Sequence, residues 1–258
     1  MTLTRGVILP SATAVGGGIL TQARPLPVGW ERGVAFATEA CLAAGEHVFC
    51  PTSPTEKVFQ GTDLAEFEAF GVEVSVVCTT LGGAQANAER ESKARAALSV
   101  VDEFSVGFVL ATGTTQAGVD TGNPDLADAI SGGTGADATA ALAILEDAIA
   151  TNLKGHLAWV HVSPARLVEL VAATAVYLDD LGSWRTPTGH LVVASPGYAG
   201  NIDDELVATT EVFASRGEIE LMSTIARDDN RYLAVHEAPA LAVFDPCFNV
   251  SVAIGTSP

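Results

Sequence analysis

The sequence predicts an α+β fold, and three patterns in its apolar residues lead to that prediction. Apolar and polar residues alternate over 70–76, which is the period of a half-buried strand. Over residues 84–111 the apolar residues recur at three- and four-residue steps, which predicts one long amphipathic helix. Residues 137–200 then alternate between helical and strand-like segments, and residues 201–258 contain several short apolar runs typical of strands.

The predicted long helix has about 28 residues and is about 42 Å long. Its apolar stripe consists of Ala94, Ala97, Leu98, Val101, Phe104, Phe108 and Val109. Its charged face consists of Glu89, Arg90, Glu91, Lys93, Arg95, Asp102 and Glu103. Glu91 and Arg95 have the i,i+4 order that favours an ion pair. A break of the helix at Gly107 is the alternative that the sequence leaves open. A helix this long in a chain of 258 residues indicates a structural strut.

The two segments before the long helix differ in character. Residues 1–30 contain clustered glycines and three prolines, a pattern that predicts an irregular, extended arm. The arm carries apolar side chains that need cover from a neighbouring surface, namely Val7, Ile8, Leu9, Val15, Ile19 and Leu20. Residues 31–82 are predicted as strands and loops, with a turn between Pro51 and Pro54.

A loop over 112–136, with a short helical turn after Pro124, is predicted to follow the long helix. A small α/β unit should then cover residues 137–200. Its expected features are an N-cap at Asp137, a helix that ends at Gly155, a strand over 157–162, a helix started by Ser163 and Pro164, a strand over 189–194 and a turn over 195–197. Beyond it, prolines interrupt the short apolar runs 233–235 and 241–244.

The composition excludes several classes of protein. Hydrophobic residues make up 48% of the chain and charged residues 17%, so an intrinsically disordered protein is excluded. Apolar runs do not reach the roughly 18 residues that a membrane span needs, and the N-terminus lacks the pattern of a secretory signal. We therefore expect a soluble, cytosolic protein. The net charge of −18 argues against a protein that binds phosphate backbones. Most of this charge lies in residues 101–258, which hold 21 of the 31 acidic residues.

The four cysteines are Cys41, Cys50, Cys78 and Cys247. They are too few for a secreted domain stapled by disulfides, and they form no CxxC pair of the kind that binds zinc. We therefore expect four small, buried, hydrophobic side chains.

A metal site at His156 and His161 is not favoured by their spacing. Residues five apart point to opposite faces of a strand and lie about 140° apart on a helix. Both histidines are therefore predicted to be solvated or satisfied by internal hydrogen bonds.

Two further patterns are weak candidates for ligand binding. The glycine-rich stretch 132–135 precedes a helix, but it lacks the spacing of a phosphate-binding loop. The acidic clusters 179–180, 203–205 and 228–229 contain oxygen ligands for a hard cation, but a solvated loop is the better interpretation of each.

The sequence lacks the G-x-S-x-G pattern of a nucleophile elbow. Ser163 and Ser195 each follow a predicted strand and precede proline, which favours helix capping. Trp159 and Trp184 are predicted to lie in the core. We thus predict no catalytic residue, no cofactor and no metal ligand, and the chain is not expected to be an enzyme.

The order of elements and several short motifs resemble one known family. The motifs are residues 29–33 (GWERG), 70–72 (FGV), 78–82 (CTTLG), 110–113 (LATG), 234–239 (AVHEAP) and 243–247 (VFDPC). Together with an arm, a strand-and-loop segment, a long helix and an α/β unit, they resemble the HK97-type major capsid proteins of tailed phages, in particular those of phages that infect actinobacteria. The resemblance covers most of residues 30–258.

The resemblance implies an HK97-like division of the chain. Residues 1–30 would be the N-terminal arm, 31–82 the E-loop segment, 83–112 the spine helix of the P-domain, 113–230 the A-domain and 231–258 the strands that return to the P-domain. Some family members cross-link through an E-loop lysine; Lys57 is the lysine in the matching segment, but the sequence does not indicate a partner for it.

The resemblance also implies a function and a set of partners. Hexamers and pentamers of the chain would form an icosahedral shell around double-stranded DNA without sequence-specific binding and without a membrane. Scaffolding, portal and decoration proteins are the further partners, with scaffolding expected on a separate chain if it is used. The subunit would assemble in the host cytoplasm and reside in the virion. The alternatives are an encapsulin-like compartment shell, a minor head or connector protein and, with less support, a cytosolic α/β enzyme.

Overall fold

A computed structural model of the chain describes residues 18–37, 64–78, 84–226 and 231–255. The described helices are α1 Ile19–Gln22, α2 Ala84–Thr112, α3 Ala138–Leu153 and α4 Pro164–Ala172, with short 3-10 helices at Trp30–Arg32 and Pro196–Tyr198. The described strands are β1 Val34–Ala37, β2 Leu64–Phe67, β3 Phe70–Cys78, β4 Ile130–Gly135, β5 Trp159–Val162, β6 Tyr177–Leu178, β7 Trp184–Arg185, β8 Leu191–Ala194, β9 Glu205–Thr209, β10 Phe213–Arg216, β11 Glu220–Ala226, β12 Arg231–Val243 and β13 Asn249–Ile254.

The long helix α2 is confirmed, and its 29 residues continue through Gly107 without a break. It packs against strands β3 and β12 and against the 3-10 helix at 196–198. Ala94, Leu98 and Val109 of the predicted stripe are buried, whereas Ala97 is exposed. The predicted pair of Glu91 and Arg95 is replaced by other contacts, because Glu91 accepts a hydrogen bond from the Tyr232 hydroxyl.

One described sheet has β12 at its centre. Strand β3 pairs with it antiparallel along one side, and β10 and β11 pair with it in succession along the other side. A strand of 13 residues is about 43 Å long, which is enough to hold both partners end to end. Strands β1 and β2 pair antiparallel and form a separate two-stranded sheet.

Strand β12 corrects the interpretation of residues 233–244 as short runs that proline interrupts. The strand runs through Pro239, whose carbonyl oxygen accepts a 2.8 Å hydrogen bond from the Gly217 amide between β10 and β11. The Pro239 nitrogen faces that same side, where the two partner strands leave a gap. A ladder amide is therefore not needed there, and proline fits within the strand.

The second large sheet has seven described strands in the order β4-β13-β9-β5-β8-β7-β6. The pairs β5–β8 and β13–β4 are parallel, and the other pairs are antiparallel. Helices α3 and α4 pack on one face, where Leu145 and Val160 belong to the same apolar cluster. The other face contributes Trp159 and Val193 to a cluster that also contains Leu98 of α2. The long helix therefore shares a core with both large sheets.

Strand pairing joins segments across the boundaries of the predicted division of the chain at two places. Strands β10 and β11 lie within 113–230 but pair with β12, and β13 lies within 231–258 but pairs with β4 and β9 of the seven-stranded sheet. The physical reason is that backbone hydrogen bonds and burial select partners in space, and a sequence pattern does not report which partner a strand takes.

Part of the predicted loop 112–136 is also a strand. Residues 130–135 form β4, and the segment after Pro124 makes a hydrogen-bonded turn, with the Ala129 amide bonded to the Leu126 carbonyl at 3.2 Å, instead of a helical turn. A Cβ on Gly135 would lie closer than 3.0 Å to the backbone of Ala141 in α3. Glycine permits this close approach, and the three glycines among the six residues of β4 hid the strand from the sequence, because glycine is depleted in strands.

The predicted helix starts in the α/β unit and the predicted end of α3 are confirmed, whereas the strands predicted over 157–162 and 189–194 begin two residues later, at Trp159 and Leu191. The Asp137 side chain accepts a 2.8 Å hydrogen bond from the Ala140 amide at the start of α3. Ser163 caps α4 and Pro164 occupies its first turn. Helix α3 ends at Leu153 and is followed by Lys154 and Gly155, both with positive φ, as expected of a helix that terminates in the left-handed conformation.

The prediction for the cysteines is wrong at Cys247, which is half-buried and disulfide-bonded. Cys41, Cys50 and Lys57 lie outside the described residues, and the structure does not describe the side chain of Cys78. Among the described helices, none is both long and apolar enough to cross a membrane.

Candidate functional site

Two adjacent carboxylates in the middle of α2 are buried, with Asp102 only 1% exposed and Glu103 7% exposed. The sequence pattern placed both on the charged, solvent-facing side of the helix, and that prediction is wrong. The apolar stripe identifies only one buried side of the helix. Helix α2 is also contacted by α1 and by the turn at 196–198, and the Arg216 side chain of β10 reaches Asp102.

Glu103 binds the backbone at the start of α1. Its Oε1 accepts a 2.6 Å hydrogen bond from the Ile19 amide, and its Oε2 accepts a 2.9 Å hydrogen bond from the Leu20 amide. Burial raises the pKa of Glu103, and the two amide hydrogen bonds oppose that rise. Ile19 itself is fully buried in the shared core.

Residues 18–26, here called the arm segment, continue across the molecule from this point. The Gln22 side chain accepts a 2.7 Å hydrogen bond from the Ser183 hydroxyl in the β6–β7 connection. The Arg24 carbonyl accepts a 2.9 Å hydrogen bond from the Ala214 amide in β10, and the Leu26 amide donates to the Ser215 hydroxyl at 2.8 Å. Ile19 is thus covered by its own chain. Residues 1–17, which hold four of the six apolar side chains of the predicted arm, lie outside the described residues.

Asp102 connects α2 to β10. One of its carboxylate oxygens forms an ion pair with the Arg216 guanidinium, and the other is buried without a hydrogen-bond partner in the described part of the chain. Burial raises the pKa of Asp102, and the hydrogen bond from Arg216 opposes this. The two neighbouring carboxylates therefore fasten α2 to two different segments.

Gly107 of α2 meets Gly197 where the helix crosses the 3-10 helix at 196–198. The position of a Cβ on Gly197 would be 2.7 Å from the Gly107 carbonyl carbon and closer than 3.0 Å to backbone atoms of Phe104 and Phe108. Ser195 caps this turn, as predicted, and its hydroxyl donates a 3.2 Å hydrogen bond to the Glu103 carbonyl. Helix α2 and the 3-10 helix that follows β8 therefore touch backbone to backbone.

His161 is fully buried and satisfied by hydrogen bonds, which confirms its predicted role. Its Nε2 lies 2.9 Å from the Thr209 hydroxyl, whose own proton goes to the Thr210 carbonyl, so Nε2 carries the ring proton. Its Nδ1 then accepts from the Tyr198 hydroxyl at 2.7 Å. Burial lowers the pKa of His161 to about 3, so the ring is neutral. His156 is exposed, and the structure does not bring the two histidines together as ligands.

The other sequence candidates have local structural roles. Residues 132–135 belong to β4 and do not form a phosphate-binding loop. Asp179 accepts hydrogen bonds from the Ser183 amide and from Arg185, and the Arg185 bond is the main reason that its pKa is lowered. Asp203 accepts from the Gly200 amide at 2.9 Å. The described residues contain no group of histidine, cysteine and acidic side chains that could hold a metal ion, and residues 228–229 lie outside them.

The remaining candidates support the fold. The Ser163 hydroxyl accepts from the Arg166 amide at the start of α4. Trp159 is buried, as predicted, and Trp184 is half-buried beside the core under α3 and α4. A cleft of about 1020 Å³ opens between the arm segment, β1 and the loop before β5, and Leu157 and Leu181 are exposed in its wall.

Comparisons with known proteins identify the fold. No family model matches the sequence, and no curated protein matches it. A solved structure from Gordonia phage Cozz is similar over 95% of this chain and 89% of its own, with 14% identity and a TM-score of 0.59. A chain from the major capsid and decoration proteins of Phage G is similar over 95% and 91%, with 9% identity and a TM-score of 0.56. A structure from Mycobacterium phage Ogopogo is similar over 98% and 97%, with 12% identity and a TM-score of 0.53. The chain therefore has the mixed α+β fold of phage capsid proteins.

Proposed function

We propose that the chain is a capsid subunit, copies of which assemble into the closed shell of a tailed phage. The observation that carries this proposal is the similarity of nearly the whole chain, and not of one domain, to solved phage capsid structures. A domain reused in another context would match over only part of its length.

We further propose an HK97-like division of the chain, drawn along the sheets. Helix α2 with the sheet of β3, β10, β11 and β12 would form the P-domain, and the seven-stranded sheet with α3 and α4 would form the A-domain. The β1–β2 pair at either end of residues 38–63 would be the base of the E-loop, and the residues up to 30 would be the N-terminal arm. Antiparallel pairing of β3 with β12 supports the return of the chain to the P-domain.

Exposed apolar side chains support assembly from many copies. Leu157, Leu181 and Met222 are each more than half exposed in the isolated subunit, and so are Leu178 and Val168. Contacts between subunits would remove such surface from water, which stabilises association. In a closed symmetric shell the same contact recurs between many pairs of subunits. Hexamers and pentamers are the expected building blocks.

A structural, non-catalytic role is supported by the use of the polar groups described above. Ser163 and Ser195 cap helices, and His161 is neutral and held between two hydroxyls. The strong negative charge suits a container whose DNA must move freely, because it disfavours binding to phosphate. Scaffolding, portal and decoration proteins are the proposed further partners, with assembly in the host cytoplasm and residence in the virion.

The test is electron microscopy of the purified protein in negative stain, with light scattering on the same sample. Closed polyhedral particles tens of nanometres across are the expected result, and nucleic-acid absorbance in them would favour a capsid over a protein-filled compartment. Particles that appear only after a scaffolding partner is added would also support the proposal. A uniform monomer or small oligomer under both conditions would overturn it.

A further inference from the structure

We infer that Glu103 is a positioning residue that holds the beginning of the arm segment, residues 18–22, on its own subunit. The inference rests on the proposed function only in its last step, the effect on assembly. Its first step, the attachment of the arm segment, concerns the isolated subunit and stands on the contacts of Glu103 alone.

Glu103 takes the role of an N-cap for α1. The residue in the capping position, Gly18, provides no side-chain hydrogen bond, and the amides of Ile19 and Leu20 bind instead to a carboxylate more than 80 positions away in the chain. A helix of four residues is not stable by itself, so α1 depends on this docking. The first turn of the arm segment and the middle of α2 should therefore form and separate as one unit.

Gly18 has no side chain and therefore leaves room for the Glu103 carboxylate. A Cβ on Gly18 would lie 2.5 Å from the Glu103 Cδ and less than 3.0 Å from both oxygens, whereas the glycine leaves room for the two hydrogen bonds. Substitution of either partner should thus weaken the same attachment: E103Q by removing the charge and one acceptor, and G18A by crowding the carboxylate.

The arm segment touches both large sheets of the subunit. It binds Ser183 next to the seven-stranded sheet through Gln22, and it binds Ala214 and Ser215 of β10 through Arg24 and Leu26. It also forms an ion pair with Glu211 through Arg24 at 2.9 Å. Because Glu103 binds the beginning of the arm segment, loss of its contacts should release residues 18–22 first. Helix α2 should stay in place.

The attachment is tested by hydrogen exchange, followed by mass spectrometry, on the unassembled subunit. We expect E103Q to raise amide exchange in peptides covering residues 18–22 by at least about tenfold, with α3 and the rest of the seven-stranded sheet unchanged. G18A should do the same. The matched control is E89Q, which neutralises an exposed glutamate on the same helix whose partner is Lys93, and it should leave residues 18–22 protected.

Each outcome decides the inference. A local rise in exchange in both variants supports it, and a rise spread over the whole of α2 would indicate a merely structural role and overturn it. Unchanged exchange at residues 18–22 in both variants would also overturn it. If E103Q does not fold, G18A decides in the same way.

Assembly gives the second readout. We expect E103Q and G18A to yield at most about one tenth of the closed particles that wild-type protein and E89Q yield under the same conditions. Wild-type yields in both variants would show that the attachment does not position the chain for assembly. If wild-type protein itself forms no particles, the proposed function fails, whereas hydrogen exchange still tests the attachment of the arm segment.

Discussion

The contact between Gly107 and Gly197 makes a sharp prediction for the substitution G197A. The φ of Gly197 is not positive, so alanine meets no conformational strain at this position. The new Cβ would instead approach backbone atoms of Phe104, Gly107 and Phe108, all in α2, closer than 3.0 Å. Backbone atoms cannot rotate away as a side chain does, so the helix and the 3-10 helix must separate by several tenths of an ångström or more.

The expected magnitude follows from two opposing terms. Overpacking in a closely packed core costs about 1–3 kcal/mol. The methyl group gains about 0.8 kcal/mol from burial, which offsets part of the cost only if it can be accommodated. We therefore expect a loss of about 2 kcal/mol in the free energy of unfolding, or a fall in Tm of about 4–8 °C for a chain of this length.

Thermal unfolding of the isolated subunit, followed by circular dichroism, measures this loss. The matched control is G71A, because a Cβ on Gly71 would meet the flexible end of the Glu237 side chain, which can move away. We expect G71A to leave Tm within about 2 °C of wild type, since loss of a strand glycine is neutral to slightly stabilising. A G197A variant as stable as G71A would refute the argument from backbone contact.

Three further predictions concern the groups described above. The substitution D137A should lower the free energy of unfolding by about 1 kcal/mol in denaturant titrations, because α3 loses its N-cap, and an unchanged midpoint would contradict this. Y198F should cost about 1–3 kcal/mol, because the buried Nδ1 of His161 loses its donor; equal stability of Y198F and wild type would count against the proposed tautomer. Burial raises the pKa of Asp102 and Glu103, so the folded chain holds these protons above the pH at which the unfolded chain releases them. Their contribution to stability should therefore fall as pH rises above the ordinary pKa values of 3.8 and 4.5. The free energy of unfolding of wild type minus that of the double variant D102N/E103Q should fall over the same rise in pH. A difference that grows with pH would contradict this reasoning.

Features that depend on nearby residues were predictable from the sequence. The long helix, the caps at Asp137 and Ser163, and strand β3 each follow from periodicity or from a local hydrogen bond between a side chain and its own backbone. The predicted capsid-like order of elements also agrees with the fold that solved phage structures share with this chain. Such signals need no knowledge of distant partners.

Features that depend on distant partners were not predictable. The sequence assigned Asp102 and Glu103 to the solvent-facing side of α2, but Arg216 and the amides of the arm segment bind them inside the subunit. Likewise, three of the six residues of β4 are glycines, so the segment carries no clear strand pattern, and its strand conformation depends on pairing with β13.

The sequence by itself therefore determined the α+β class, the order of the main elements and the ends of its central helices, because those properties arise from contacts within a few residues. Only the tertiary structure decided which strands share a sheet, which carboxylates are buried and what covers Ile19. Those properties depend on groups more than 80 positions apart in the chain, such as Glu103 and Ile19, and a local pattern does not encode which distant surface a residue will meet.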